Sequence, residues 1–383
     1  MESRAMKIVK VSHHSCIRVH KEAMALLNKG YRVHLLANKW VEFSDIYHTF
    51  GHWLDMAQLH NFIKLHASDT DLFHVHNEPS WFVTLIKETC DVPVILDIHD
   101  SFAARVTDEE QQEAYERDGT ELIRITAEER NNFKLADALV FPGRSFADTV
   151  INEFNLKQPH IILPSYLPRH LYRYNMQDWY GGLVYEGKVQ LKAEGRSSYG
   201  FRYCDYLELA KECKRIGIDL HFYSREDKPF IESYREFSYI HKPVHYSKLT
   251  RCISRHDWGL VGNINQTPEW DVAMPNKLFE YMASGVPIAV INAKDCADFV
   301  LEHGVGIVVE SLEELASRWS EHVVCRENVI KKRAKWSMDE NIFPLEELYR
   351  KVLDGRTNTT NINQSNVENV KAEDNLRDFK RIA

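Results

Sequence analysis

Short apolar runs rich in β-branched residues recur along the first half of the chain, at Ile8–Val11, Val33–Ala37, Leu72–Val75, Val94–Ile98, Ala138–Phe141 and Ile161–Leu163. Amphipathic stretches separate them, at Val19–Asn28, Leu54–His66, Ser80–Thr89, Ala127–Ala136 and Ser145–Phe154. The apolar runs read as buried strands and the stretches between them as helices with one core-facing stripe. Strand and helix in regular alternation predict an open parallel sheet covered on both faces. Gly30 suits the stop of the first helix, and Pro93 marks entry to the fourth strand.

Pro164–Asp178 breaks the pattern with Pro164, Pro168 and a cluster of aromatic and basic residues. After Gly181 and Gly182 the alternation restarts. Strands are expected at Leu183–Glu186, Asp219–Tyr223, Tyr239–His241, Trp258–Val261, Ile288–Ile291 and Gly306–Val309. Helices are expected near Tyr203–Arg215, Ser247–Arg255, Pro275–Ser284, Cys296–Glu302 and Leu312–Glu321, with Phe343–Leu353 as a last apolar-faced helix. The expected architecture is α/β, two Rossmann-like doubly wound domains of parallel sheet facing a cleft. They span residues 1–165 and 182–340, joined by a linker at 166–181. A C-terminal helix at 341–354 and a polar, Asn-rich tail at 355–383, expected to be disordered, complete the chain. Ligands of such folds bind beyond the carboxyl ends of the strands, so the cleft is where chemistry is expected.

Composition narrows the function. The 383 residues are 44% hydrophobic and 27% charged, which fits two globular domains and excludes a wholly disordered, collagen-like or coiled-coil chain. No stretch has the ~18–20 unbroken apolar residues of a membrane span. Charges in Met1–Lys10 fall where a signal peptide would carry its apolar core, so the expected location is cytoplasmic. The net charge of −8 is uneven, since residues 1–165 hold 17 basic against 24 acidic side chains. Nine of those acids lie in Asp108–Glu129, which reads as a solvated helical face or an acceptor loop. Polyanion binding asks for a basic stripe, and the first half has none. Lys331, Lys332 and Arg333 read as a surface helix. The seven cysteines are scattered without a CxxC pair, as in reduced, mostly buried thiols. His74 and His76 alternate on one strand face, but no third ligand is evident nearby, so no metal site is expected. GxSxG, Walker A, GxGxxG and HExxH patterns are absent, which removes the common hydrolase, NTPase, dehydrogenase and zinc-protease readings.

The most informative stretch is Met274-Pro-Asn-Lys-Leu-Phe-Glu-Tyr-Met-Ala-Ser-Gly-Val-Pro-Ile288. Pro275 suits the first helical position, and Gly285 and Pro287 suit the stop. The helix is then about ten residues long, with Asn276, Lys277 and Glu280 close together near its N-terminus. Backbone N–H groups and a partial positive charge at that end favour a diphosphate. Lys277 can add a point charge, and Glu280, one turn deeper, can accept two hydroxyl donors from a ribose.

Pro-Asn-Lys-Leu-Phe-Glu-Tyr-Met-Ala-Ser-Gly-Val-Pro resembles the donor-site helix of GT-B-fold glycosyltransferases, especially the family 4-like group (the group 1 type). RVHKEAMALLNKGYRVHLL, DLFHVHNEP, DVPVILDIHD, LADALVFPGRSFAD, GGLVYEGKV and HGVGIVVES resemble successive pieces of the same fold in the same order. The resemblance implies transfer of a sugar from a nucleotide donor, UDP- or GDP-linked, to a hydroxyl acceptor with retention. It implies donor contacts at Gly187, Lys188, Arg202, Asn276, Lys277, Leu278 and Glu280, with Lys277 and Arg202 neutralising the leaving diphosphate. A cation there stabilises charge that builds as the glycosidic bond breaks.

On the acceptor side, His99 and Asp100 follow the fourth strand, where a His beside an acid could take the acceptor proton. His13 and His14 follow the first strand facing the cleft, Arg18 begins the next helix, and His76 and Asn77 stand at a strand end bordering the acceptor pocket. No cofactor or metal is expected. Many family members carry two glutamates separated by seven residues here, but eight positions before Glu280 stands Val272, with Asp271 and Glu269 shifted. That departure leaves two other readings open, a sugar-nucleotide epimerase of the same fold and an inactive nucleotide-sugar-binding partner subunit. The expected acceptor is a glycan or a lipid-linked sugar; a modified DNA base is disfavoured by the acidic first half.

Overall fold

A computed structural model describes residues 4–13, 16–39, 42–76, 81–101, 121–173, 179–189, 204–224 and 229–355. His14, Asn77 and Arg202, most of the acidic run and the polar tail lie outside the described residues.

In the first half, the strands are β1 (Lys7–Ser12), β2 (Arg32–Ala37), β3 (Thr49–His52), β4 (Leu72–His76), β5 (Val94–Asp97), β6 (Ala138–Phe141) and β7 (His160–Ile162). They form one parallel sheet in the order β3-β2-β1-β4-β5-β6-β7. Helices α1 (Ile17–Asn28), α2 (Met56–Ala67), α3 (Phe82–Thr89), α4 (Glu121–Leu135) and α5 (Arg144–Phe154) connect them. Successive residues of the strands serve opposite faces, as a pleated backbone requires. Val9, Val11, Phe73, Val75 and Leu96 pack with Leu59, Phe82, Val83, Phe133 and Val150 of α2 to α5. Ile8, Val33, Leu35, Leu72 and Ile95 pack on the other side with Val19, Ala23 and Leu26 of α1.

The second half repeats the plan. Strands β8 (Leu183–Glu186), β9 (Leu220–Tyr223), β10 (Tyr239–His241), β11 (Trp258–Gly262), β12 (Ile288–Ile291) and β13 (Gly306–Val308) form a parallel sheet in the order β10-β9-β8-β11-β12-β13. The helices are α6 (Leu207–Ile216), α7 (Tyr246–Ile253), α8 (Pro268–Val272), α9 (Asn276–Ala283), α10 (Lys294–His303), α11 (Leu312–Ser317) and α12 (His322–Lys332). The chain then crosses back to the first domain. Leu167 bridges Ser337, α13 (Met338–Asn341) follows, and α14 (343–355) lays Leu345, Leu348, Tyr349 and Val352 into the first core, beside α1.

Four elements were not expected from the sequence pattern, the four-residue α13 among them. β3 is a four-residue edge strand, Thr-Phe-Gly-His, with no apolar run to mark it. α8 is a five-residue turn of helix after Thr267. α12 exposes Val323 and Val324 but buries Arg326, whose guanidinium donates to the carbonyls of Gly285, His256 and Asp257, so its pattern is inverted. No helix among the described residues is long and apolar enough to cross a membrane. All seven cysteines are free thiols.

Candidate active site

Strand order reverses at β1/β4 in the first sheet and at β8/β11 in the second, and crevices open at such points. Between them lies a cleft of about 490 Å³. The first domain lines it with Cys16, Ile17 and Arg18 after β1, His99 to Ser101 after β5, and Pro142 and Phe146 after β6. The second contributes Glu186 to Lys188 after β8, Glu269, the run Val272–Lys277, and Glu280. Direct contacts cross the seam, among them Ser145 Oγ to Asp295 Oδ1 at 2.7 Å and the Tyr246 N–H to Glu42 Oε2 at 2.8 Å.

On the second-domain wall, α9 starts at Asn276, and Pro275 is its N-cap rather than its first residue, one position from expectation. No side chain caps that end, and Pro275, Asn276 and Lys277 all border the cleft, so the first-turn N–H groups are presented to it. Gly285 at φ +71° closes the helix, as expected. The turn after β8 holds Gly187 at φ +124°, a conformation that only glycine adopts readily. A Cβ there would stand 3.6 Å from Lys277 Nζ, which places the glycine turn and the lysine side by side. That ammonium lies over the rings of Tyr185 and Trp270, at 4.9 and 5.4 Å from their centroids. Lys188 also borders the cleft. Leu278 does not; it is fully buried in the second core.

Glu280 lines the cleft yet is only 2% exposed. Its Oε1 accepts from the Tyr246 hydroxyl at 2.6 Å and from Lys21 Nζ, on α1 of the first domain, at 3.2 Å. Lys21 also reaches Asn276 Oδ1 at 3.0 Å and the Ser165 carbonyl at 3.1 Å, tying the domains at the base of the cleft. Burial opposes ionisation of Glu280, but the Lys21 ammonium and hydrogen bonds from Glu186 and Tyr246 outweigh it and hold the carboxyl below its usual range. Glu186 goes the other way. Burial, then the Glu280 charge, raise it well above the usual carboxylate range. One carboxyl is thus protonated and its neighbour ionised, a donor beside an acceptor on the cleft wall.

On the first-domain wall, His99 is brought to the cleft together with a carboxylate, but the partner is Asp97 rather than Asp100. Asp97 Oδ2 lies 3.6 Å from His99 Nε2, while Cys16 Sγ lies 3.3 Å from Nδ1. Burial opposes charging of His99, yet the Cys16 thiolate and Asp97 together push its pKa up to about 10. The same pairing lowers the Cys16 thiol despite its burial. Arg18 donates from Nε to Asp97 Oδ2 at 2.8 Å and stands 3.4 Å from Glu22. Its two terminal nitrogens are buried with no partner among the described residues.

His76 lies beneath this layer, fully buried. It does not border the cleft but is 3.3 Å from His99 Nε2. With Glu22, His74 and Asp97 it forms a four-residue group whose ligand atoms lie within 4.8 Å of one another. Lys10 Nζ already occupies the middle, at 2.8 Å from both Glu22 Oε2 and His76 Nε2 and 3.3 Å from His74 Nδ1. A buried ammonium thus stands where a metal ion would. The His13 ring is tilted against Trp53, 6.0 Å between centroids, and does not line the cleft.

The sequence pattern missed Lys10, Cys16, Lys21, Glu22, Asp97, Glu186 and Tyr246. Three of these, Lys10, Asp97 and Glu186, carried a usable signal, being charged residues inside or at the end of apolar strand runs. Such residues are rarely buried unless paired.

Residues 205–335 match the family described as Glucosyltransferase 3-like, C-terminal domain. No curated protein matches the chain by sequence. Among solved structures, sucrose-phosphate synthase from Thermosynechococcus elongatus superposes with a TM-score of 0.67 at 12% identity, covering 91% of this chain and 100% of that one. HepE of Anabaena, in complex with UDP-glucose, gives 0.62 at 11%, covering 92% and 100%. An alpha-glucosyltransferase in complex with UDP-glucose and DNA containing an abasic site gives 0.60 at 11%, covering 91% and 99%.

Proposed function

Taking the chain as a GT-B glycosyltransferase by fold and by the family of its second domain, we propose that it transfers a sugar from a UDP-linked donor to a hydroxyl acceptor with retention. The observation that carries this reading is the meeting, in one cleft, of an uncapped helix N-terminus, Lys277, and a glycine turn at Gly187. Together they suit a diphosphate, which the N–H groups cradle and the ammonium neutralises. The Glu280 carboxylate, held ionised by Lys21, Tyr246 and its neighbour Glu186, suits the ribose diol as an acceptor. UDP-glucose is the first donor to try, since two structures of this fold hold it.

In the transfer, the bond from the anomeric carbon to the β-phosphate oxygen breaks on the face where the acceptor oxygen bonds. The acceptor proton passes to the departing phosphate oxygen, and UDP leaves. His99, held cationic at neutral pH, is unsuited to the base role expected from its position; it supplies positive charge above Arg18 instead. The cations lining the cleft stabilise the developing phosphate charge more than they stabilise the bound donor. We propose that no metal ion is needed for this step and that the acceptor is a glycan or lipid-linked sugar hydroxyl rather than DNA.

Calorimetry with UDP-glucose tests the site. Glu280→Gln, which keeps the shape of the side chain, is expected to raise the donor dissociation constant at least tenfold. Unchanged donor binding in a folded variant would remove the ribose assignment. NMR of the glycoside formed should show the donor's anomeric configuration, and turnover should persist in EDTA. Isomerised donor appearing without acceptor would replace transfer by epimerisation, and donor binding with neither reaction would make the chain a binding subunit.

A further inference from the structure

A second group of titratable side chains sits toward the β10 edge of the second sheet. His221 on β9, His241 on β10 and His256 just before β11 each offer one ring nitrogen within 4.8 Å of the other two. The strand register explains the pairing. His241 lies opposite Tyr223, so His221, Tyr223, Tyr239 and His241 fall on one face of edge strand β10 and its neighbour β9. His256 reaches them from the loop that enters β11.

We propose that His221, His241 and His256 form a binding site for a divalent transition metal, with Zn²⁺ as the reference ion, that clips the edge strand β10 to the body of the second domain. Three features point to a ligand rather than to packing alone. The chemistry is that of a three-imidazole site, in which a fourth position stays open to water. The His256 Nδ1–H donates to the Gly181 carbonyl at 2.8 Å, which fixes the tautomer and leaves Nε2 as the lone-pair nitrogen; metal-ligating histidines are oriented by such a bond. His221 Nε2 is buried with no hydrogen-bond partner among the described residues, on a residue 6% exposed.

The contrast with the buried group around Lys10 is instructive. There an ammonium already bonds the carboxylate and both imidazoles. At His221 the contact to His241 is imidazole to imidazole instead, Nδ1 to Nε2 at 3.0 Å with the rings stacked 5.3 Å apart. Tetrahedral bonds of about 2.0–2.1 Å bring ligand nitrogens to about 3.4 Å apart. The widest gap, at most 4.8 Å, must therefore shrink by about 1.4 Å. His241, half-buried on the edge strand, has room to supply that movement. Tyr223 stacks flat on the His241 ring at 4.2 Å, and its hydroxyl lies 3.3 Å from His256 Nε2. It is placed to hand over to an incoming ion.

The test is titration of the full metal-stripped chain with Co²⁺, whose visible spectrum reports tetrahedral nitrogen ligation, followed by Zn²⁺ competition. One ion per chain is expected to bind with tetrahedral absorption. His241→Ala and His256→Ala should each weaken Zn²⁺ at least tenfold, and the melting temperature of the wild type, not of the variants, should rise with Zn²⁺. Because His241 lies on an exposed edge, its variant should fold whatever becomes of His256→Ala. Absence of tetrahedral absorption, or equal Zn²⁺ affinity in wild type and folded His241→Ala, would overturn the proposal. Donor binding in the cleft is read separately on the same samples, so failure here leaves the transferase reading intact.

Discussion

The side chain that departs furthest from its sequence-based role is His99. Adjacency in sequence suggested Asp100 as its partner and a base as its task. The pleat instead places Asp97, two residues earlier and fully buried, under the ring, and the loop after β1 brings Cys16 to its other nitrogen. Cys16 lies just before the first turn of α1, where N–H groups favour a thiolate. The pair therefore titrates as a unit. A ring raised from its ordinary value to about 10 contributes stability that is complete below pH ~6.5 and is lost as pH rises through about 10. Cys16→Ser removes the larger of the two raising partners, so the imidazole should titrate at distinctly lower pH, as followed by NMR of the His99 ring. A ring that still titrates near 10 would mean that Asp97 alone sets its charge. None of this was legible from spacing, because Cys16 and His99 are 83 residues apart and meet only through the β1-β4-β5 order.

Elements were read more faithfully than side chains. The apolar runs and the 3.6-residue stripes gave the strands and most helices of both domains, since burial on both faces leaves little choice of residue. Legibility failed where burial was polar or partial. Edge strand β3 has no apolar run, and α12 buries an arginine beside Val329 while leaving Val323 and Val324 exposed. The helix start, glycine stop and glycine turn beside the cleft were legible because they depend on local rules. Gly187 permits a test at this scale. At φ +124° a side chain is strained, and a methyl would stand 3.5 Å from Lys277 Cε. Gly187→Ala should cost about 1 kcal/mol of stability. It should weaken UDP binding by a larger factor than that cost implies, because it displaces the backbone that faces the diphosphate. A matched control is Gly217→Ala, also at positive φ but with no atom within 4 Å of its Cβ. It should lose similar stability with no change in UDP affinity.

Among the contacts that hold the two domains together are two crossings that the sequence pattern did not reveal. One is Lys21, reaching from α1 to Glu280 and Asn276 at the foot of the cleft. The other is the return of the chain after Ser337, which makes α14 part of the first core although it follows the second domain. The apolar face of Phe343–Leu353 was evident from spacing; which domain it covers was not, because amphipathicity says that a helix packs and not where. Tyr349 anchors it, its hydroxyl 2.7 Å from His74 Nδ1 in the buried layer beneath the cleft. The stability of the first domain therefore depends on residues nearly 200 positions beyond its last strand. Leu345 is fully buried there, and its truncation to Ala should cost about 2–5 kcal/mol. Hydrogen exchange distinguishes the two arrangements. In Leu345→Ala, amides of β1, β2 and β4 should lose protection while those of β8, β11 and β12 keep theirs. Loss of protection in the second sheet first would show that α14 stabilises the domain it follows in sequence rather than the one it touches.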